Sequence, residues 1–286
     1  MCGISGIFSN KSIDFDLLIN SMNNSLSHRG PDSKKVHIGN NMAMGHTRLS
    51  IIDLTEFANQ PFFDITGRYT LVFNGEIYNY AKLKNQLKDY NFITNSDTEV
   101  ILAYYIKFGF KCVNYFDGFF AFAIWDTLSQ TVFIARDRLG IKPLYYYLKD
   151  EILIIASEIR SILTIKKVSK EIDYQSVFDT LIYGSSIEPD SMIIDIKMLP
   201  PATYGSYDLQ TLKINKYWNI CPNKIEKNHN FEIEPASYKI YEFPCSSKPY
   251  ESVYNVKKKL PLFAKSAKSK SQYCAGYYVC LLYTSP

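Results

Sequence analysis

The sequence is 286 residues long, room for one large domain or two ordinary ones. With 47% hydrophobic and 21% charged residues it can bury a sizeable core, which excludes a chain disordered overall. The formal net charge of +4, from 32 Lys+Arg against 28 Asp+Glu, is too small to argue for a nucleic-acid partner, and no apolar run approaches the ~18–20 residues of a membrane span.

The opening residues MCGISGIFSNKSIDFD carry neither the basic n-region nor the long apolar h-region of a secretory signal. The 6 cysteines (Cys2, Cys112, Cys221, Cys245, Cys274, Cys280) have no C-x-x-C spacing and are too sparse for a disulfide framework, so a reducing, cytoplasmic location is expected. The first predicted strand is Ile4–Phe8. Phe15, Leu18, Met22 and Leu26 recur at three and four residues and predict a helix with one apolar face. Strands follow at Met42–His46 and Tyr69–Phe73. Ser96 and Glu99 in SDTE have capping-box spacing before the apolar-rich helix Val100–Phe108. Phe119–Trp125 is apolar at both parities, so a strand there must be covered on both faces. Turn residues Asp126 to Gln130 lead to a hairpin partner, Thr131–Ala135, and a further strand is expected at Ile152–Ala156. Beyond about residue 165 the pattern gives a helix at Tyr174–Tyr183, a turn at Gly184 and short strands ending near Trp218. Residues 221–286 show no clear periodicity and carry six lysines between Lys257 and Lys270.

Chemistry is concentrated near the start. Removal of Met1, expected before a small second residue, would leave Cys2 with a thiol (reference pKa ~8.5) and an α-amine (~7.7–8.0) on one residue. Such an amine titrates where a general base is effective, beside the sulfur it must activate. On the dipeptide alone, Cys2 reads first as a small residue entering a strand. Asn74-Gly75 reads as a hairpin turn, or as a side-chain amide beside a free N–H converging on an oxyanion. Arg48 could fork onto a carboxylate or form a surface ion pair. Asp97 could receive an ammonium or merely suit the start of a helix. His28, His37 and His46 are scattered, with no Cys/His cluster, so no metal site is expected. ARDRLGIKPLYYY, with a turn at Gly140 to Pro143, reads as scaffold.

Taken together and in order, MCGISGIF, HRGPDS, GHTRLSIIDL, LVFNGEIYNY, SDTEV, DGFFAFAIWD, ARDRLGIKPLYYY and ASEI resemble the glutamine amidotransferase domain of glutamine-hydrolysing asparagine synthetases. That domain is a class II amidotransferase of the N-terminal-nucleophile hydrolase type, and the likeness covers residues 1–165. The resemblance implies an α+β fold, a four-layer αββα sandwich, followed by the start of an incomplete synthetase domain. It implies Cys2 as nucleophile on the side-chain amide of glutamine and Asn74 and Gly75 as oxyanion hole. It further implies Arg48 for the substrate carboxylate, Glu76 and Asp97 for the rest of the glutamine backbone, and Leu49, Ser50, Ile51 and Ile52 as pocket lining. No cofactor is expected for this glutaminase half.

Residues 166–220 more loosely resemble the linker and opening of the synthetase domain, with Ala202 where Gly is usual and Lys216-Tyr217-Trp218 in place of an Arg form. ATP and Mg are expected for the full family, but the Ser-Gly-Gly-x-Asp-Ser loop that binds ATP is absent from this sequence, and that domain would need roughly 200 further residues. The expectation is a truncated or frame-shifted chain whose residues 221–286 are incomplete and disordered or non-native, with the synthetase domain missing or supplied in trans. Glutamine is the expected partner, with no nucleic acid and no membrane. An inert regulatory remnant that still binds glutamine is the alternative.

Overall fold

In the computed structural model, which describes residues 1–219, the doubly apolar segment is a strand, Gly118–Asp126, and its two faces enter different cores. Phe120, Phe122 and Ile124 pack with Val100, Leu102 and Tyr104, whereas Ala121, Ala123 and Trp125 pack with Ile4, Phe8, Met44 and Ile155. The helix Asp97–Phe108 covers one face of this strand and a second sheet covers the other, which is one of the ways a doubly apolar strand can be buried.

The strands are β1 (Gly3–Phe8), β2 (Ser33–Gly39), β3 (Met42–Arg48), β4 (Phe62–Phe63), β5 (Tyr69–Ile77) and β6 (Gly118–Asp126). They continue as β7 (Thr131–Arg136), β8 (Tyr145–Lys149), β9 (Ile152–Ala156), β10 (Ile196–Met198), β11 (Thr203–Tyr207) and β12 (Leu212–Lys216). The helices are α1 (Phe15–Ser25), α2 (Tyr80–Gln86), α3 (Asp97–Phe108), α4 (Ile159–Ile162) and α5 (Tyr174–Tyr183). One sheet runs β10-β8-β9-β1-β3-β2 and the other β12-β11-β7-β6-β5-β4, antiparallel at every pairing. A third core, holding Ile7, Ile19, Met22, Ala43, Ile154 and Ile162, lies between the first sheet and α1 and α4. Three cores make four layers, the αββα sandwich expected from the sequence.

Period-two alternation positions the site. On β1, Ile4 and Phe8 face the other sheet while Ile7 faces α1, so Cys2 continues the inner row. On β3, Met42 and Met44 face inward and place His46 and Arg48 in the same row. On β5, Val72 faces inward and Asn74 follows it, whereas Leu71, Phe73 and Ile77 point to the helix side.

Two expectations are corrected. Asn74-Gly75 is no turn: both lie inside β5, paired with Ala121 and Phe120, and the strand continues to Ile77. Gly75 is dictated by close approach, since a Cβ there would lie 2.2 Å from the Phe119 carbonyl oxygen. The capping box is also only half made. Ser96 accepts from the Thr98 N–H at 3.2 Å, but Glu99 reaches past the cap to the N–H groups of Ile93 and Thr94. Thr94 Oγ1 takes the Ser96 N–H in its place. The strands β2 and β8 were not anticipated, because exposed and half-buried residues dilute their alternation.

Residues 166–219 add β10 to the first sheet and β11 and β12 to the second, and belong to the same structural unit, Met1–Cys221. No helix among the described residues is long and apolar enough to cross a membrane. The expectations for 221–286, including the lysine run and an incomplete or non-native tail, lie outside the described residues.

Candidate active site

Cys2 sits where the chain enters β1, the strand between β9 and β3. Its Sγ accepts the Leu49 N–H at 3.4 Å and lies 3.6 Å from the Leu49 carbonyl. The antiparallel register of β1 with β3, Gly3 opposite Thr47, brings the residues after Arg48 to the sulfur. Burial pushes the thiol above its ordinary pKa; the Leu49 N–H, the positive N-terminus and Arg48 oppose this, and Asp97 reinforces it. Cys2 therefore lies within electrostatic reach of both Arg48 and Asp97. The thiol at rest is protonated.

Three residues of the HRGPD segment shape this corner, and none had been singled out. Arg29 donates from Nε to the Cys2 carbonyl at 2.9 Å and from Nη1 to Glu158 at 2.9 Å, and its side chain is 9% exposed. Glu158 also pairs with His28 at 2.8 Å and Arg160 at 2.7 Å. Gly30 leaves the space that the Thr47–Arg48 peptide fills, since a Cβ there would meet the Thr47 carbonyl carbon at 2.3 Å. Asp32 accepts the Ser50 N–H at 2.7 Å and donates its own N–H to the Arg48 carbonyl, fixing the exit from β3.

Arg48, 6% exposed, spends its two terminal nitrogens on the loop that follows β3. Nη1 donates to the Thr55 carbonyl at 3.0 Å and to Asn59 Oδ1 at 2.8 Å; Nη2 donates to the carbonyls of Ile52 and Asp53. The guanidinium thus fastens residues 52–59 as well as facing the cysteine corner. Asp53 extends the loop to the start of α3 by accepting the Asn95 N–H at 2.9 Å. Thr55 hydroxyl donation is the largest influence lowering its carboxyl pKa. Leu49 and Ser50 follow Arg48 directly, whereas Ile51 is 71% exposed.

Asn74 is buried on the inner face of β5, and its Nδ2 donor has no hydrogen-bond partner. An orphan donor in the interior is unfavourable unless something accepts from it. Gln60 braces the strand beside it, accepting the Phe73 N–H at 2.6 Å and donating to Thr98 at 3.3 Å. Asp97 opens α3 and is buried; its Oδ2 accepts the N–H of Ile77, three residues past Asn74. Burial raises its carboxyl to about 6, against the N–H groups of Ile77 and Thr98 and the Ser96 hydroxyl, with help from nearby Glu76, which is exposed. The structure thus gathers Cys2, Arg48, Leu49 and Asp97 at one corner, and the inner row of β5 carries Asn74 towards it.

Comparison with known proteins gives this arrangement its class. Residues 1–218 match the family described as the glutamine amidotransferase domain, and the chain belongs to that family. Solved structures share the fold: glutamine PRPP amidotransferase from B. subtilis superposes with a TM-score of 0.54 at 18% identity, covering 77% of this chain and 50% of that one. Among curated relatives, a putative glutamine-hydrolyzing asparagine synthetase of Methanocaldococcus jannaschii is 36% identical, covering 76% of this chain and 46% of its own length. Asparagine synthetase 3 of Bacillus subtilis is 34% identical over 78% of this chain and 38% of its own. The chain spans less than half the length of these two curated relatives.

Proposed function

We propose that this chain is the glutaminase half of an asparagine synthetase, hydrolysing glutamine to glutamate and ammonia through a thioester on Cys2. Two observations support the reading: a part-buried Cys2 thiol at the entry to one sheet, and an Asn74 amide nitrogen without a partner on the inner face of the other. As the chain is written, the Cys2 nitrogen is a peptide N–H, so the reaction requires removal of Met1, which is 58% exposed. The freed amine takes the thiol proton, directly or through one water, and the thiolate attacks the carboxamide carbon of glutamine. Asn74 Nδ2 and the Gly75 N–H receive the oxyanion. Ammonia leaves with a proton returned from the amine, and water hydrolyses the thioester to release glutamate. Arg48 takes the substrate carboxylate by giving up the Ile52 and Asp53 carbonyls that its Nη2 now holds, with Leu49 to Ile52 lining the pocket, and Asp97 with Glu76 takes the ammonium.

No cofactor takes part in these steps. In the parent protein the ammonia amidates aspartate, and ATP with Mg serves that second half, which a longer chain or a separate partner provides. The free thiols of Cys2 and Cys112 suit a reducing, cytoplasmic setting. An electrophilic analogue of glutamine, incubated with the folded protein, is expected to add its mass to an N-terminal peptide that begins at Cys2. Glutamate should accumulate with glutamine alone. Labelling without glutamate release would instead establish an inert glutamine-binding remnant, and retention of Met1 on the folded protein would overturn the mechanism.

A further inference from the structure

The proposed reaction draws its nucleophile from one sheet and its side-chain oxyanion donor from the other. Between them lies mostly apolar packing, which holds two sheets at ~10 Å but is non-directional and does little to fix their sliding. His46 supplies a directed bond across that gap. It lies on the inner row of β3, 1% exposed, with Nε2 3.1 Å from the carbonyl oxygen of Phe73 on β5. A carbonyl can only accept, so Nε2 carries the hydrogen, and burial pushes the imidazole down to about 3, which leaves the ring neutral. That carbonyl belongs to the peptide unit whose nitrogen is that of Asn74, so the bond holds the plane from which the Asn74 side chain departs. On its own sheet, His46 stands opposite Ile4, two residues from Cys2. One imidazole therefore links the neighbourhood of the sulfur to the peptide of the donor.

The remaining ring nitrogen, Nδ1, is buried without a partner. Leaving it dry is unfavourable, and an apolar side chain would fill the same space without that cost. The bond to Phe73 is what an apolar replacement would lack.

We propose that His46 is a positioning residue for glutamine hydrolysis, holding the Phe73–Asn74 peptide so that the Asn74 amide meets the oxyanion formed at Cys2. The proposal rests on the glutaminase reading, and its test separates the two. Glutamate release is measured for the wild-type protein, His46→Leu and His46→Gln, beside the rate at which iodoacetamide alkylates Cys2. That alkylation displaces iodide from a tetrahedral carbon and builds no oxyanion, so it reports the thiol alone. His46→Leu is expected to lose about 100-fold in kcat with KM little changed, as a misplaced donor would give. Alkylation should stay near the wild-type rate, and His46→Gln, which keeps an N–H at similar reach, should recover much of the loss. If His46→Leu fails to fold, His46→Asn, too short to span to Phe73, carries the same expectation. Unimpaired turnover in these variants, or parallel loss of turnover and alkylation without rescue by Gln, would overturn the proposal. A wild-type protein that releases no glutamate would instead overturn the glutaminase reading, and this role with it.

Discussion

Burial pushes two groups at the site towards their neutral forms, while the proposed reaction uses the charged form of each. The Cys2 thiol is held protonated until a base arrives, so Cys2→Ala should abolish glutamate release while moving the unfolding midpoint little, because the lost side chain is small and only part-buried. The Asp97 carboxyl, raised to about 6, behaves differently. Between pH ~6 and ~4 the folded chain keeps a proton that the unfolded chain has released, so acidification across that window favours the folded state. The contribution is on the order of 2–3 kcal/mol for one group shifted this far. The same protonation removes the charge that would receive the glutamine ammonium. The KM for glutamine should therefore rise as pH falls below about 6. Asp97→Asn should stabilise the protein at pH 7–8 and lose that advantage near pH 4, as thermal unfolding at the two pH values would show. Cys2 and Asp97 could be named as candidates from the sequence, Cys2 by its position and both by the motifs around them. Arg29 could not: its partner is a main-chain carbonyl 27 residues away, and nothing in local spacing reveals a bond to backbone. Arg29→Lys keeps the charge but loses the planar fork that reaches Cys2 and Glu158 together, and should lower kcat more than it raises KM.

Alternation and helical spacing located most elements because burial is one-sided or complete in them. Ile152–Ala156 and Tyr174–Tyr183 appear with the bounds their patterns gave. The Asn-Gly pair misled because turn preference is local, whereas Gly75 answers to the neighbouring strand, whose backbone leaves no room for a Cβ. Gly75→Ala should cost about 3 kcal/mol or more, readable as a lower denaturant midpoint, and should distort the β5–β6 ladder next to Asn74. The SDTE segment illustrates the same limit. Its Ser96 caps α3 as the spacing requires, and Ser96→Ala should cost about 1 kcal/mol. The carboxylate of Glu99, however, finds better partners in the loop before the cap, at 2.7 Å from both the N–H and the hydroxyl of Thr94.

For the whole molecule, one doubly apolar strand showed that cover was needed on both of its faces, while the count of four layers came from the family resemblance. The sequence did not disclose where the sheets end. β10 pairs with β8, and β11 pairs with β7, so strands from beyond residue 165 cover edges that residues 1–165 would leave open. Uncovered edges template association. A fragment ending at 165 should therefore elute as aggregates on size exclusion, whereas one ending at 219 should elute as a discrete species. The buried knot of Arg136 with Glu188, Gly140 and the Leu199 carbonyl ties the two stretches together on the same account.

The placement of Cys2 on one slab and Asn74 on the other turns turnover into a gauge of how the slabs are seated. A perturbation that lets them creep past each other by a fraction of an ångström, such as moderate hydrostatic pressure, would quench glutamate release while circular dichroism still reports every strand intact. On the proposed mechanism, glutamate release should be lost before the fold is and should return when the pressure is released.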